Sequence, residues 1–127
     1  MLTLTDARRI IDAAKLTAAE NQWNVVIAVA DDGGHLIALE RMDGAQKGSV
    51  RVAEQKARTA ILFKRPTKAL EEAVMQGRSV MMTLPDAICL EGGLPLIRDG
   101  VYLGAIGVSG VQSFQDGIVA AGGATAL

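Results

Sequence analysis

Apolar residues recur at helical spacing near the start of the chain, at Ala7, Ile10, Ile11, Ala14 and Ala18, and predict an amphipathic helix over residues 4–21. Thr3 and Asp6 stand three apart at its head, the spacing of a capping box with Asp in place of Glu. Two runs rich in β-branched and aliphatic residues follow, 24–30 and 35–41, joined by Asp31-Asp32-Gly33-Gly34. Asp-Gly between such runs predicts an antiparallel hairpin on a type I′ turn, whose two central residues need positive φ. Helical periodicity returns over 49–64, with Ala53, Ala57, Ala60 and Ile61 facing inward. After Pro66 a shorter helix, capped by Thr67, is expected over 68–77. The segment 79–93, with Met81-Met82, Leu84-Pro85 and Gly92-Gly93, reads as a loop with a short strand at most. A second Asp-Gly turn, Asp99-Gly100, joins LPLIR to VYLGAIGVSG as another hairpin, and Ser113 caps a final helix over 113–124.

Two hairpins with helices before, between and after them do not make βαβ units. The expected fold class is α+β, an antiparallel sheet of about five strands with helices on its faces. At 127 residues, half of them hydrophobic, residues 1–127 are expected to form a single domain with a real core. Only Trp23, Phe63, Tyr102 and Phe114 are aromatic, so that core must be aliphatic, and the many alanines and glycines imply close approach of helix to sheet.

A formal net charge of −1, with no basic surface interleaved with stacking rings, argues against a nucleic-acid partner. No stretch reaches the roughly 18 apolar residues of a membrane span, and MLTLTDARR carries no apolar signal region. Cys89 is the single cysteine and cannot close an internal disulfide, which fits a reducing compartment. A cytoplasmic location is expected.

One histidine and one cysteine cannot assemble the four ligands of a structural zinc site. GVSGV at 107–111 is not the nucleophile elbow of a serine hydrolase. GAIGVSG lacks the strand-then-helix setting of a dinucleotide fingerprint. Cys89, inside AICL, reads as a buried structural thiol. His35 opens the second strand beside a glycine turn: it is either an exposed hairpin histidine or a functional one, an axial ligand to haem iron or a general base. From 47 to 68, Lys47, Arg51, Lys56, Arg58, Lys64, Arg65 and Lys68 face a single acid, Glu54. Arg51, Arg58 and Arg65 share a heptad position. This stripe is a solvated or intersubunit face, or a seat for carboxylates and phosphates, haem propionates included. In RMDGA, residues 41–45, Asp43 and Gly44 are expected to turn the chain out of its strand, with Asp43 capping the next helix and Arg41 pairing with Asp43, Glu91 or a ligand anion.

VVIAVADDGGHLIALERMDGA, Ser49, AEQKARTA, Thr67, Leu70, GGLPLIRDGVYLGAIGVSG, Gln115-Asp116 and VAAGG, in this order, resemble the GlcG/HbpS-like family. That family also includes the C-terminal domain of PduO-type cobalamin adenosyltransferases and is catalogued as a haem-degrading domain. The resemblance runs from about residue 4 to 124. It implies a five-stranded, profilin-like sheet flanked by helices, homo-oligomers from tetramer to octamer, and haem as a cofactor in some members. Carried over position by position, it points to a cleft where RMDGA, the start of the basic helix and the GGLP loop meet.

The residues expected at a ligand are thus His35, which is also the expected metal ligand, with Arg41, Met42, Asp43, Ser49, Lys56, Glu91, Gly92, Gly93 and Ser109. The leading expectation is a small-ligand-binding homo-oligomer whose ligand is haem or a related tetrapyrrole. The alternative is an enzyme or accessory factor for a small hydroxy or oxo acid, held by Arg41, Lys56 and the amides near Gly92-Gly93. A third is an assembly module without a ligand.

Overall fold

In the computed structural model, which covers residues 1–127, the elements run α1 (Leu4–Glu20), β1 (Val26–Asp31), β2 (Leu36–Arg41), α2 (Ser49–Leu62), α3 (Thr67–Met75), β3 (Gly93–Arg98), β4 (Val101–Ser109) and α4 (Ser113–Ala124). The strands form one antiparallel sheet in the order β2-β1-β4-β3. The α+β class holds, but the sheet has four strands, not about five. Ser79–Thr83 forms a 3-10 turn, and the chain from 84 to 92 carries no strand. Two of its amides are engaged by side chains: Ile88 donates to Thr59 Oγ1 at 3.0 Å, and Glu91 to Glu71 Oε1 at 3.1 Å. Backbone groups satisfied this way have no ladder to form.

β1 is central, and Val25 to Ala30 are all at most 2% exposed. One face of the sheet meets α1 and α4, where Ile10, Ile11, Ala14, Val119 and Ala120 close over Ile27, Val29, Ile106 and Val108. The other face meets α2, where Ala53, Ala57, Ala60 and Ile61 pack on Val26, Ala28, Ala30 and Ala105. A strand with helices on both sides has no polar face to alternate with, and its sequence is a continuous apolar run.

α2 approaches the sheet closely because glycines lie beneath it. Gly93 and Gly107 are register partners on β3 and β4. A Cβ on Gly107 would overlap the Ala53 carbonyl oxygen and the Ala57 amide, and one on Gly93 would overlap the Lys56 carbonyl. The helix backbone rests directly on this pair.

The two hairpins turn differently. Asp99 and Gly100 have φ of 51° and 77°, the two positive values of the expected I′ turn. At the first hairpin only Gly34 is positive, at 81°, so the connection is not I′. The Asp31 side chain closes it instead, with Oδ1 accepting from the amides of Gly33 and His35, both at 2.9 Å. This is the Asx geometry that lets a carboxylate stand in for a backbone turn.

α1 begins with the expected box: Thr3 N–H donates to Asp6 Oδ2 at 2.9 Å and Asp6 N–H to Thr3 Oγ1 at 3.0 Å. These bonds from Thr3, with help from Arg9, hold the Asp6 carboxyl down to about 2 from the ordinary 3.8. A carboxyl depressed on folding stabilises the fold above its unfolded value and loses that contribution as pH falls through the folded value. Wild type is therefore expected to lose more stability than Asp6→Asn between pH 3.8 and about 2, read as a steeper drop in urea midpoint. Equal drops would show that the box does not contribute.

Candidate functional site

The expected ligand residues separate into three groups in space. The first is buried. Lys56, on the inward stripe of α2, is 1% exposed, and its Nζ donates to the Val108 carbonyl at 2.9 Å and to Asp116 Oδ2 at 3.0 Å. Asp116 Oδ1 also accepts the Val111 amide at 3.1 Å. Burial pushes the Asp116 carboxyl above the usual range, against the pull of the Lys56 ammonium and the Val111 N–H. Beside this pair, Ser109 Oγ donates to Ser49 Oγ at 3.1 Å, and Gln46 Nε2 reaches Ser49 Oγ at 3.0 Å. Gly92, with φ 132°, and Gly93 complete the cluster because any side chain there would meet Lys56. Glu91 lies at the edge, its carboxylate against Gly117 in the first turns of α4. This junction of β4, α2 and α4 is filled: the three surface cavities of the molecule are lined by other residues.

The second group is the RMDGA turn. Met42 N–H bonds to the Val25 carbonyl at 3.0 Å, and Ala45 N–H closes the turn on the Met42 carbonyl at 3.1 Å, with Gly44 at φ 85°. Asp43 does not cap α2: the N-cap is Gly48, with no side-chain cap. Arg41 and Asp43 are exposed, and neither forms an ion pair.

The third group is an open groove of about 450 Å³ lined by His35 with Gly34, Leu36, Arg51, Glu54, Gln55 and Arg58 and floored by Ala30. It lies where the first hairpin meets the outer face of α2. The His35 side chain is 78% exposed, and its Nδ1 stands 3.5 Å from Asp31 Oδ1. Arg58 pairs through Nε with Asp86 and donates from a terminal nitrogen to the Gly34 carbonyl at 3.3 Å. Gln55 holds the same loop, its Nε2 donating to the Asp86 carbonyl at 2.8 Å. Bonds from Arg58 and Gln55 keep the Asp86 carboxyl below its ordinary range. Arg51 forms no ion pair, and neither does Glu54 in the same groove.

The heptad row of arginines is shorter than the spacing predicts. α2 ends at Leu62, Lys64 takes φ 52°, and the Arg65 amide closes the helix on the Ala60 carbonyl at 3.1 Å. That is a Schellman ending with a non-glycine residue in the left-handed position. Arg65 is turned away, to a separate apolar pocket with Phe63, Leu70, Met81 and Leu84. Sequence reasoning missed Asp31, Gln55 and Asp86. Only Asp31 had a local signal, its position two before Gly33 and four before His35.

Fold and groove together define a small α+β domain with one exposed imidazole and a free guanidinium on an open surface. The chain belongs to the HbpS-like family, described as haem degrading protein, which matches residues 2–125. Protein GlcG of Escherichia coli K12 is 50% identical over 103 residues, 81% of this chain and 77% of that one. The crystal structure of a double mutant of Streptomyces reticuli HbpS superposes with a TM-score of 0.91 at 32% identity, covering 100% of this chain and 87% of that one. A PduOC complex with haem superposes with a TM-score of 0.88 at 29% identity, covering 100% and 95%. No helix is long and apolar enough to cross a membrane.

Proposed function

We propose that this chain binds haem or a related tetrapyrrole at the His35 groove and does so as a homo-oligomer. The observation that carries the reading is the pairing, in one groove, of the sole imidazole with an unpaired Arg51 and with Arg58. An imidazole nitrogen is a standard axial ligand for haem iron, and guanidinium groups are matched to propionate carboxylates. The volume, about 450 Å³, lies within the range of small-molecule sites. Family membership and the haem-bound PduOC neighbour support the same ligand class.

An imidazole and one free guanidinium suit haem, but the walls that this chain alone presents do not. Only two of the eight lining residues are hydrophobic, Ala30 and Leu36, so a macrocycle laid on Leu36 would need a second apolar wall. In this reading a neighbouring subunit supplies it, which ties haem binding to assembly. Bound there, haem would supply a redox-active iron centre. The protein's share would be to present one ring nitrogen and to set Arg51 against one carboxylate, Arg58 being held by Asp86. The buried cluster of Ser49, Lys56, Gly92, Gly93 and Ser109 serves the site by fixing α2 rather than by touching the ligand.

A second reading keeps the small hydroxy or oxo acid but not the seat expected at Arg41, Lys56 and Gly92-Gly93, because Lys56 is buried against Asp116; it rests on Arg51 without an acidic partner beside Gln55. Hemin titration followed at the Soret band separates the two. Wild type is expected to give a saturable, shifted band at micromolar protein, and His35→Ala to lose the shift. If no saturable band forms while glycolate or a related acid raises the melting temperature, the small-acid reading replaces the first.

A further inference from the structure

The apolar pocket at the corner between α2 and α3 shares no residue with the His35 groove. Phe63 follows the last turn of α2, Leu70 lies in α3 at 1% exposed, and Met81 and Leu84 stand on and just after the 3-10 turn. With Arg65 they line a cavity of about 200 Å³, and Arg65 is the only polar residue of the five. The outer wall is tied down from both ends. Met81 N–H donates to the Arg78 carbonyl at 3.1 Å, and the Met81 carbonyl accepts the Leu84 amide at 3.3 Å and Cys89 Sγ at 3.6 Å. Further along, the Ile88 amide is held by Thr59 Oγ1 of α2 at 3.0 Å. A pocket whose walls are already placed loses little affinity to ordering them.

The charge at the mouth selects the ligand. Lys64, in the left-handed region at φ 52°, carries Arg65 off the row of α2 to the pocket rim. Arg65 Nε donates to the Phe63 carbonyl at 3.1 Å, which holds the stem and leaves the terminal nitrogens uncommitted. The cations on either side are engaged: Lys64 Nζ lies 5.5 Å from the centre of the Tyr102 ring, and Lys68 Nζ 3.9 Å from Glu72. Arg65 forms no ion pair. Apolar walls with one free guanidinium at the rim suit an anion that carries an apolar body. We propose that this pocket binds a short-chain aliphatic monocarboxylate, with its chain among Phe63, Leu70, Met81 and Leu84 and its carboxylate on Arg65. The volume is below the roughly 300–1,000 Å³ of sites for drug-sized molecules, which excludes a tetrapyrrole. A dicarboxylate is disfavoured, since its second charge would be buried against apolar walls. The flexible thioether of Met81 can adjust to chains of different length. The inference stands apart from both readings of the His35 groove.

Hexanoate, hexanol and hexylamine match in chain length and differ in charge. Each would be titrated into isotope-labelled protein and followed by amide chemical shifts. Wild type is expected to bind hexanoate saturably with a Kd on the order of 1 mM, the affinity open to so few atoms. The largest shifts should fall at Phe63, Leu70, Met81 and Leu84. Hexanol should bind about fivefold more weakly, the upper worth of an exposed ion pair, and hexylamine more weakly still. Arg65→Gln removes an exposed charge outside the core, and should lower hexanoate to the level of hexanol while leaving hexanol unchanged. Met81→Trp fills the pocket from a surface turn and should abolish binding of all three. His35→Ala should change none of them. Equal binding of hexanol and hexanoate, or an acid preference that survives Arg65→Gln, would overturn the choice of ligand. Absence of saturable shifts, shifts centred elsewhere, or hexanoate binding lost in His35→Ala would overturn the site, and these readouts hold even if Met81→Trp does not fold.

Discussion

Asp116→Ala is expected to lower the free energy of unfolding by about 3–5 kcal/mol, the cost of stranding one member of a buried ion pair. Lys56 Nζ and Asp116 Oδ2 are 3.0 Å apart with side chains 2% and 3% exposed. The truncation would leave an ammonium whose remaining acceptor is the Val108 carbonyl, and would also strip the Val111 amide of its partner. Asp116→Asn keeps an acceptor for Val111 and should cost less. Combining it with Lys56→Met, which removes the stranded cation and fills the same space, should recover most of the loss. Denaturant midpoints at constant slope would measure this series. A loss below about 1 kcal/mol for Asp116→Ala, the usual worth of an exposed pair, would mean that the pair is open to water.

The second large effect is steric. Gly107→Ala places a methyl against the Ala53 carbonyl and the Ala57 amide, atoms of a helix backbone that no rotamer change can move aside. Overpacking usually costs about 1–3 kcal/mol, and a clash with backbone belongs at the top of that range. The same change at Gly48, where nothing lies within 4 Å of an added Cβ, is the control and should leave the melting temperature within a degree or two of wild type. If the two variants melted together, α2 would not be seated on the glycine pair.

Much of the fold was legible because local chemistry and tertiary structure agree. The apolar run at Val25–Ala30 became the doubly covered strand, Thr3 and Asp6 formed their box, and Asp99-Gly100 turned as its residues require. The failures have physical causes. Lys56 counted by charge as part of a basic face, yet it falls three residues after Ala53 and four before Ala60, on the stripe that the alanines bury. What makes that position tolerable is Asp116, sixty residues away, and periodicity carries no information about such a partner. Arg65 left its row because the helix ends on a left-handed Lys64 with no glycine to announce it. The five-strand expectation failed in that the 84–92 segment forms no strand, and two of its amides, of Ile88 and Glu91, bond to the side chains of Thr59 and Glu71 instead. For the candidate site, His35 and the arginines were visible as residue types, whereas their convergence on one groove follows from the hairpin and α2 lying side by side.

The seating of α2 on Gly93 and Gly107 divides the helix into two halves with opposite freedoms. Its inner side admits almost no substitution, since the backbone itself is the contact surface. Its outer side bears none of that constraint at Arg51 and Glu54, while Gln55 and Arg58 are tied only to the Asp86 loop and the first hairpin. Changes there can alter charge and shape without shifting the platform beneath. A fold arranged in this way can exchange one ligand for another over evolutionary time while its backbone stays in place, and descendants with superposable sheets need not share a substrate.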